Sequence, residues 1–171
     1  KLKNEIYVEH QVAIPKQNNI LIGILLVYFL FQIGLPIRHW MIQDDVLWTE
    51  EGHRMSWRMM LRSKSGTLII RIEDKKTREN KVYDYKKLLS PKQVRSVATK
   101  PDLMWQLVQK IKAIETEKGN DVAIYVNSKV SVNGGPYHQF TNPKIDIANL
   151  NWELFKHSSW LLPSPEDYQN K

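Results

Sequence analysis

Cysteine is absent from this chain of 171 residues, and its absence excludes several kinds of chemistry at once. Disulfide bonds, thiolate metal sites and cysteine nucleophiles all require that residue. The histidines at positions 39, 138 and 157 have no neighbours at the spacing of metal ligands, so we predict no metal site. A nucleophile elbow is also missing, and the Asn-Gly-Gly-Pro run at 133–136 is typical of a turn rather than of a phosphate-binding loop.

Negative charge is scarce relative to positive charge, which leaves a net charge of +7. A basic chain suits anionic surroundings such as phospholipid headgroups, nucleic acid or an acidic substrate, although an ordinary solvated surface has the same composition. We predict no nucleic-acid binding, because basic residues do not alternate with aromatic ones along a strand. Hydrophobic residues make up 42 % of the chain, so a packed core is expected.

Charge is missing altogether from residues 20–37, where Gln32 is the strongly polar member. A helix of this length reaches about 27 Å, enough for a thin bilayer. Apolar residues occupy every face of that helix, which favours a transmembrane helix over a core helix with a single apolar stripe. No small-residue cleavage site follows, so a signal peptide fits poorly. Tyr28 and Gln32 lie four residues apart and could face other helices of a bundle.

Downstream, the hydrophobic pattern predicts a mixture of strands and helices. Residues 67–73 and 81–85 alternate as strands around a charged turn, which indicates a β-hairpin. Further strands are expected at 122–132 and 137–141. Ser90-Pro91 and Pro101-Asp102 are helix starts, the second helix running to about Lys118, and a loose end is expected from Leu162. The fold class is therefore α+β: one transmembrane helix followed by a small antiparallel sheet packed with two or three helices.

Residues 47–62 hold the densest set of polar and aromatic side chains. We predict a helix there, capped by Asp44, Asp45 or Thr49 and ending near Arg62. A helical stripe would then contain every fourth residue, namely Glu50, Arg54, Arg58 and Arg62. Guanidinium groups in a row suit carboxylates or phosphates, but the same row occurs on an ordinary solvated amphipathic helix. His53 could act as a base or as a hydrogen-bond donor, although a lone histidine is more often structural.

Two motifs carry a resemblance. The segments Gln32-x-x-Leu-Pro-x-Arg-His39 and Leu47-Trp-Thr-Glu-Glu-Gly-His-Arg-x-Ser-Trp-Arg-Met-Met60 resemble the vitamin K-dependent γ-glutamyl carboxylase family and its microbial relatives, which share a multi-helix membrane region called the HTTM domain. Shorter matches follow in the same order at 101–102, 130–133 and 142–148. The resemblance covers roughly residues 19–163.

The resemblance implies an enzyme that uses reduced vitamin K, O2 and CO2 and no metal. Oxygenation of the hydroquinone yields a strong base, the base removes a γ-hydrogen from a protein glutamate, and the carbanion adds CO2. The products are γ-carboxyglutamate and vitamin K epoxide. The lysine held to deprotonate the hydroquinone belongs to the upstream membrane region, so no catalytic residue is expected among these residues, and this part alone is expected to be inactive.

By the same resemblance, the stretch around Trp57 contributes glutamate-substrate binding. Its expected substrate-binding residues are His53, Arg54, Trp57 and Arg62. The expected membrane-proximal or quinone-facing residues are Arg38, His39, Trp40 and Trp48. His53 and Arg62 differ in type from the animal enzymes, where the former position is commonly aromatic.

These expectations divide the chain into a membrane region at 1–40, a soluble α+β domain at 41–163 and a loose tail at 164–171. We expect the chain to be the C-terminal portion of a multi-pass membrane protein, with the soluble domain lumenal or extracytoplasmic. Expected partners are the lipid bilayer, a glutamate-containing protein or peptide, and the upstream helices. The alternative function is a non-enzymatic lipid- or quinone-binding module on the same scaffold.

Overall fold

The computed structural model describes residues 19–56 and 63–165, and the chain divides into two compact units at Leu35 and Pro36. The first unit contains most of helix α1, Asn19–Ile37. Its side chains are largely exposed, and the segment Asn19–Met41 is long and apolar enough to cross a membrane. The predicted apolar helix is therefore confirmed. The two polar side chains on one face satisfy each other, since Gln32 Nε2 donates to Tyr28 Oη at 2.8 Å.

The second unit is built on a four-stranded antiparallel sheet with the order β2-β1-β3-β4. The strands are β1 Lys64–Asp74, β2 Asn80–Val82, β3 Val122–Val132 and β4 His138–Gln139. The predicted hairpin is confirmed, but its second strand is shorter than expected. The chain turns into a 3₁₀ helix at Tyr85–Leu88, because the Tyr85 ring is buried and its hydroxyl donates to the carbonyl of Leu68.

Both predicted helices are confirmed, and they pack against the sheet. Helix α3, Pro91–Val97, begins with a capping box in which Ser90 and Gln93 bond each other's backbone amides. Helix α4 is Pro101–Glu117. The sheet and the two helices enclose a continuous hydrophobic core that includes Ile70, Met104, Val108, Ile111, Ile124, Val126 and Phe140.

The helix predicted up to Arg62 is wrong over the described residues. Helix α2 is only Val46–Thr49, capped by the Asp45 side chain, which accepts from Leu47 N at 2.7 Å. The backbone then turns at Glu50, whose φ of 59° is left-handed, and at Gly52, whose φ is 67°. Gly52 also lies so close to His39 that an added Cβ would meet the His39 Cβ at 2.9 Å. A regular arginine stripe therefore does not form from Glu50 through Arg54.

The end of the chain is held against the domain further than expected. Leu162 N donates to Phe140 O at 2.9 Å, and Leu161 forms a β-bridge with Thr141. Ser164 N and Oγ both donate to the Asp44 carboxylate, at 2.7 and 2.5 Å. The predicted loose end therefore does not begin at Leu162, and residues 166–171 lie outside the described part of the chain.

Candidate functional site

A cleft of about 500 Å³ lies where the turn after α1, the loop after α2, the start of α4 and the segment 152–154 meet. Charged groups and apolar groups share its lining. The lining residues are Arg38, Glu50, Gly52, Arg54, Asp102, Leu103, Gln106, Trp152, Glu153 and Leu154. The two arginines and the apolar side chains of the lining make it a candidate site for a ligand that carries a carboxylate on an apolar stem.

Arg54 meets Asp102 inside this cleft. Its Nη2 and Nε lie 2.5 and 2.7 Å from Asp102 Oδ2. Asp102 takes the place that the predicted helical stripe would have given to Glu50, the acid four residues before Arg54. Glu50 lies 3.8 Å from Lys64 Nζ instead, because the left-handed turn at Glu50 ends the helix that would have placed it beside Arg54. The Arg54 side chain remains 63 % exposed, so its pair with Asp102 is a surface pair.

Arg38 is the second cation of the cleft and has no carboxylate partner among the described residues. The 3₁₀ helix Arg38–Met41 carries it directly after α1. Its Nη2 donates to the carbonyl of Arg54 at 3.3 Å, and its Nε is buried without a hydrogen-bond partner in the part that the structure describes. Sequence reasoning placed Arg38 near the membrane and Arg54 at the substrate, whereas the fold brings the two arginines to the same cleft.

Sequence reasoning missed a buried acid in the loop that follows α2. Glu51 is 2 % exposed, and its Oε1 accepts from Ser158 N at 2.8 Å. Its Oε2 lies 2.6 Å from Nδ1 of His157, and this carboxylate hydrogen bond raises the pKa of His157 above its ordinary value. The pair therefore fastens the loop 50–56 to the segment at 157–158. No local pattern distinguishes Glu51 from its neighbour Glu50, because the partner that Glu51 meets in the interior, His157, lies 106 residues further along the chain.

A family model supports the assignment suggested by the sequence motifs. The model described as vitamin K-dependent gamma-carboxylase, lumenal domain, matches residues 17–167, which is most of the chain. This chain belongs to the vitamin K-dependent gamma-carboxylase lumenal-domain family. The membership, together with the apolar helix α1, fits a membrane protein with a lumenal domain. No solved structure matches the chain significantly.

Trp48 of this carboxylase-family domain is a core residue. It is 1 % exposed, its Nε1 donates to Leu162 O at 2.9 Å, and its ring packs on Phe140 with centroids 5.5 Å apart. Lys64 Nζ lies 4.0 Å from the centroid of the same Phe140 ring. The expected place of Trp48 at the membrane surface is therefore incompatible with its burial, because its ring and its N–H are both occupied inside the domain.

The other expected site residues of the carboxylase-family domain do not line the cleft or lie outside the described residues. His53 directly precedes Arg54, but it does not line the cleft; its carbonyl accepts from Ser56 Oγ at 2.6 Å. His39 Nδ1 donates to Pro36 O at 2.8 Å, and Trp40 is 75 % exposed. Trp57 and Arg62 lie in the segment 57–62, outside the described residues. Across 19–56 and 63–165, no group of three or more metal-ligating side chains comes together.

Proposed function

We propose that this chain is the lumenal part of an enzyme that converts protein glutamate to γ-carboxyglutamate with CO2, O2 and reduced vitamin K. In this proposal its cleft binds the glutamate-bearing segment of the substrate. Family membership supports the reaction class. The observation that carries the binding role is the pair of guanidinium groups, Arg38 and Arg54, in one cleft with apolar walls.

The chemistry of the cleft suits a glutamate side chain. A carboxylate needs cationic donors, and arginine offers them in a fixed planar arrangement. Leu103, Trp152 and Leu154 provide apolar surface for the methylene groups of the substrate. Arg38 forms no ion pair with a carboxylate in the described residues, so it is the better placed of the two arginines to receive a charged ligand.

Arg54 needs an exchange of partners before it can bind a substrate carboxylate. Its present partner, Asp102, bonds it through a single oxygen, and the arginine side chain is mostly exposed. Surface pairs of this kind contribute about 0–1 kcal/mol, so a bidentate substrate carboxylate can replace Asp102 at small cost.

The chain's own residues position the substrate and do not remove its γ-hydrogen. Side-chain bases operate near neutral pH, and a carbon-bound hydrogen needs a far stronger base. Reduced vitamin K supplies that base when bound, together with the lysine expected in upstream membrane helices. Of the expected quinone-facing side chains, exposed Trp40 could contact an apolar ring system, whereas buried Trp48 could not. Positioning is still worth much, since a misplacement of about 1 Å can cost on the order of a hundredfold in rate.

A second candidate function is a non-enzymatic quinone- or lipid-binding module. The Arg54–Asp102 pair favours it, because a guanidinium group already satisfied by an acid is less available to a substrate carboxylate. The two functions differ in whether the cleft arginines affect glutamate or only an apolar ligand.

The experiment is to compare Arg38→Gln and Arg54→Gln in the full-length membrane protein, following CO2 incorporation and vitamin K epoxidation separately. Loss of a charge-assisted hydrogen bond predicts a rise of about tenfold in KM for a glutamate peptide, with epoxidation at saturating peptide retained. Arg78→Gln is the matched control, since Arg78 is likewise exposed and paired with an acid, Glu73, at 3.1 Å.

Three outcomes separate the possibilities. Unchanged CO2 incorporation at limiting peptide in both cleft variants contradicts the binding role. Reduced epoxidation with an unchanged KM for the peptide assigns the arginines to the quinone instead. A wild-type protein without CO2 incorporation but with retained quinone binding supports the non-enzymatic module.

A further inference from the structure

Two pairs of adjacent, exposed apolar side chains stand out on the described part of the second unit. Trp40 and Met41 are 75 % and 72 % exposed, and Leu154 and Phe155 are 51 % and 54 % exposed. Single exposed hydrophobic residues are common on soluble proteins, whereas neighbouring ones that form a patch usually mark an interaction surface. These two pairs are therefore candidates for an interaction surface.

Both apolar pairs belong to segments that form the cleft. Leu154 and Arg38 both line it, and Arg38 begins the 3₁₀ helix that contains Trp40 and Met41. Met55, which follows Arg54 and is 63 % exposed, adds a further apolar side chain beside the cleft. Exposed apolar groups thus lie on two of the segments that form the cleft and directly next to a third.

The position of Trp40 and Met41 in the chain points to the lipid bilayer as the partner. They follow α1 within four residues of Ile37, and a 3₁₀ helix of four residues is about 8 Å long. The headgroup layer on each side of a bilayer is about 5–7 Å thick, so the end of a membrane-crossing α1 places these residues in or next to that layer. Tryptophan is enriched at this depth, and a basic residue such as exposed Lys156 suits anionic lipid phosphates.

The segment bearing Leu154 and Phe155 is fastened at both ends. On one side, the Trp152 ring packs against Trp105 at 6.3 Å between centroids, and Trp105 Nε1 donates to Leu150 O. On the other side, His157 and Ser158 N bond the buried Glu51 carboxylate. Between these anchors the two apolar side chains remain exposed, so the fold presents them without covering them.

We propose that Leu154 and Phe155 insert into the headgroup–acyl boundary of the bilayer crossed by α1, beside Trp40 and Met41. In this proposal the second unit contacts lipid through these four apolar side chains. This contact with lipid does not depend on the reaction proposed above, since it rests on exposure and on the covalent link to α1.

The absence of cysteine from these 171 residues allows a direct test. Phe155→Cys is labelled with an environment-sensitive nitrobenzoxadiazole fluorophore in the full-length protein, after replacement of any cysteine outside these residues. The protein is reconstituted in vesicles of phosphatidylcholine and phosphatidylglycerol with or without lipids spin-labelled near the top of the acyl chain. Val82→Cys is the matched control, because Val82 is an exposed apolar residue on strand β2, and Met41→Cys is the membrane-proximal reference.

The expected result is quenching of the Phe155 label to within about twofold of the Met41 label, with little quenching of the Val82 label. A water-soluble quencher should give the opposite order. The proposal is overturned if the Phe155 label is quenched by lipid no more than the Val82 label. It is also overturned if the Phe155 label is shielded from both quenchers, since that result assigns the surface to another protein segment. Thermal unfolding of each labelled variant verifies that the fold is retained.

Discussion

Two acid–base pairs lie in or next to the segments that form the cleft, one of them buried and the other exposed. Glu51 and His157 form a buried pair in which the carboxylate also accepts a backbone N–H. Arg54 and Asp102 form a pair with a mostly exposed cation. Water competes weakly for the first pair and strongly for the second. The comparison indicates that the buried pair keeps the loop 50–56 in place, while the exposed pair is able to change partners.

The largest effect is expected when the buried acid is removed. Glu51→Ala leaves Ser158 N and His157 without their partner in the interior and should lower the free energy of unfolding by about 3 kcal/mol. Asp102→Ala should cost about 1 kcal/mol or less, as a surface pair with a helix N-terminal contribution does. Thermal unfolding of both variants in the intact detergent-solubilised protein gives the two values, and equal losses would contradict the difference between the pairs.

The second largest effect is expected in how the stability of the protein depends on pH. The Glu51 carboxylate raises the pKa of His157 above the ordinary 6.5, so the folded protein binds a proton there more tightly than the unfolded chain does. The stabilisation is therefore fully present below about pH 6.5 and is lost as the pH rises through the higher folded pKa. Glu51→Gln should flatten this dependence. Unfolding midpoints from pH 5.5 to 8.5 test it, and an identical slope in wild type and variant would exclude His157 as the cause.

The difference between local and long-range interactions explains which features of the structure the sequence could predict. Strand β3 and helix α4 follow from alternation and from the Pro101 start, because the signals are local. The turn at Glu50 opposes a strong helical pattern, and its causes are tertiary: Gly52 packs against His39, and Glu51 is drawn to Ser158. The convergence of Arg38, Arg54 and Asp102 likewise depends on the packing of distant segments. The sequence indicated that arginine side chains could bind a carboxylate, but it could not show which residues lie next to them in the fold.

The smallest effect is expected from Asp102, which competes with the substrate carboxylate for Arg54. If Asp102 occupies Arg54 until a substrate carboxylate replaces it, Asp102→Asn should weaken that competition without changing side-chain size. A surface pair of this kind contributes at most about 1 kcal/mol, so KM for a glutamate peptide should fall by about two- to fivefold in the full-length enzyme. Glu73→Gln, which removes the acid from the Arg78 pair, is the matched control and should leave KM unchanged. Raised salt should shrink the difference between wild type and Asp102→Asn, because exposed charges are screened within about 10 Å at 0.1 M. A KM that rises in Asp102→Asn would show instead that Asp102 holds Arg54 in its binding orientation, and the pair would then be a positioning device, as Glu51 and His157 are.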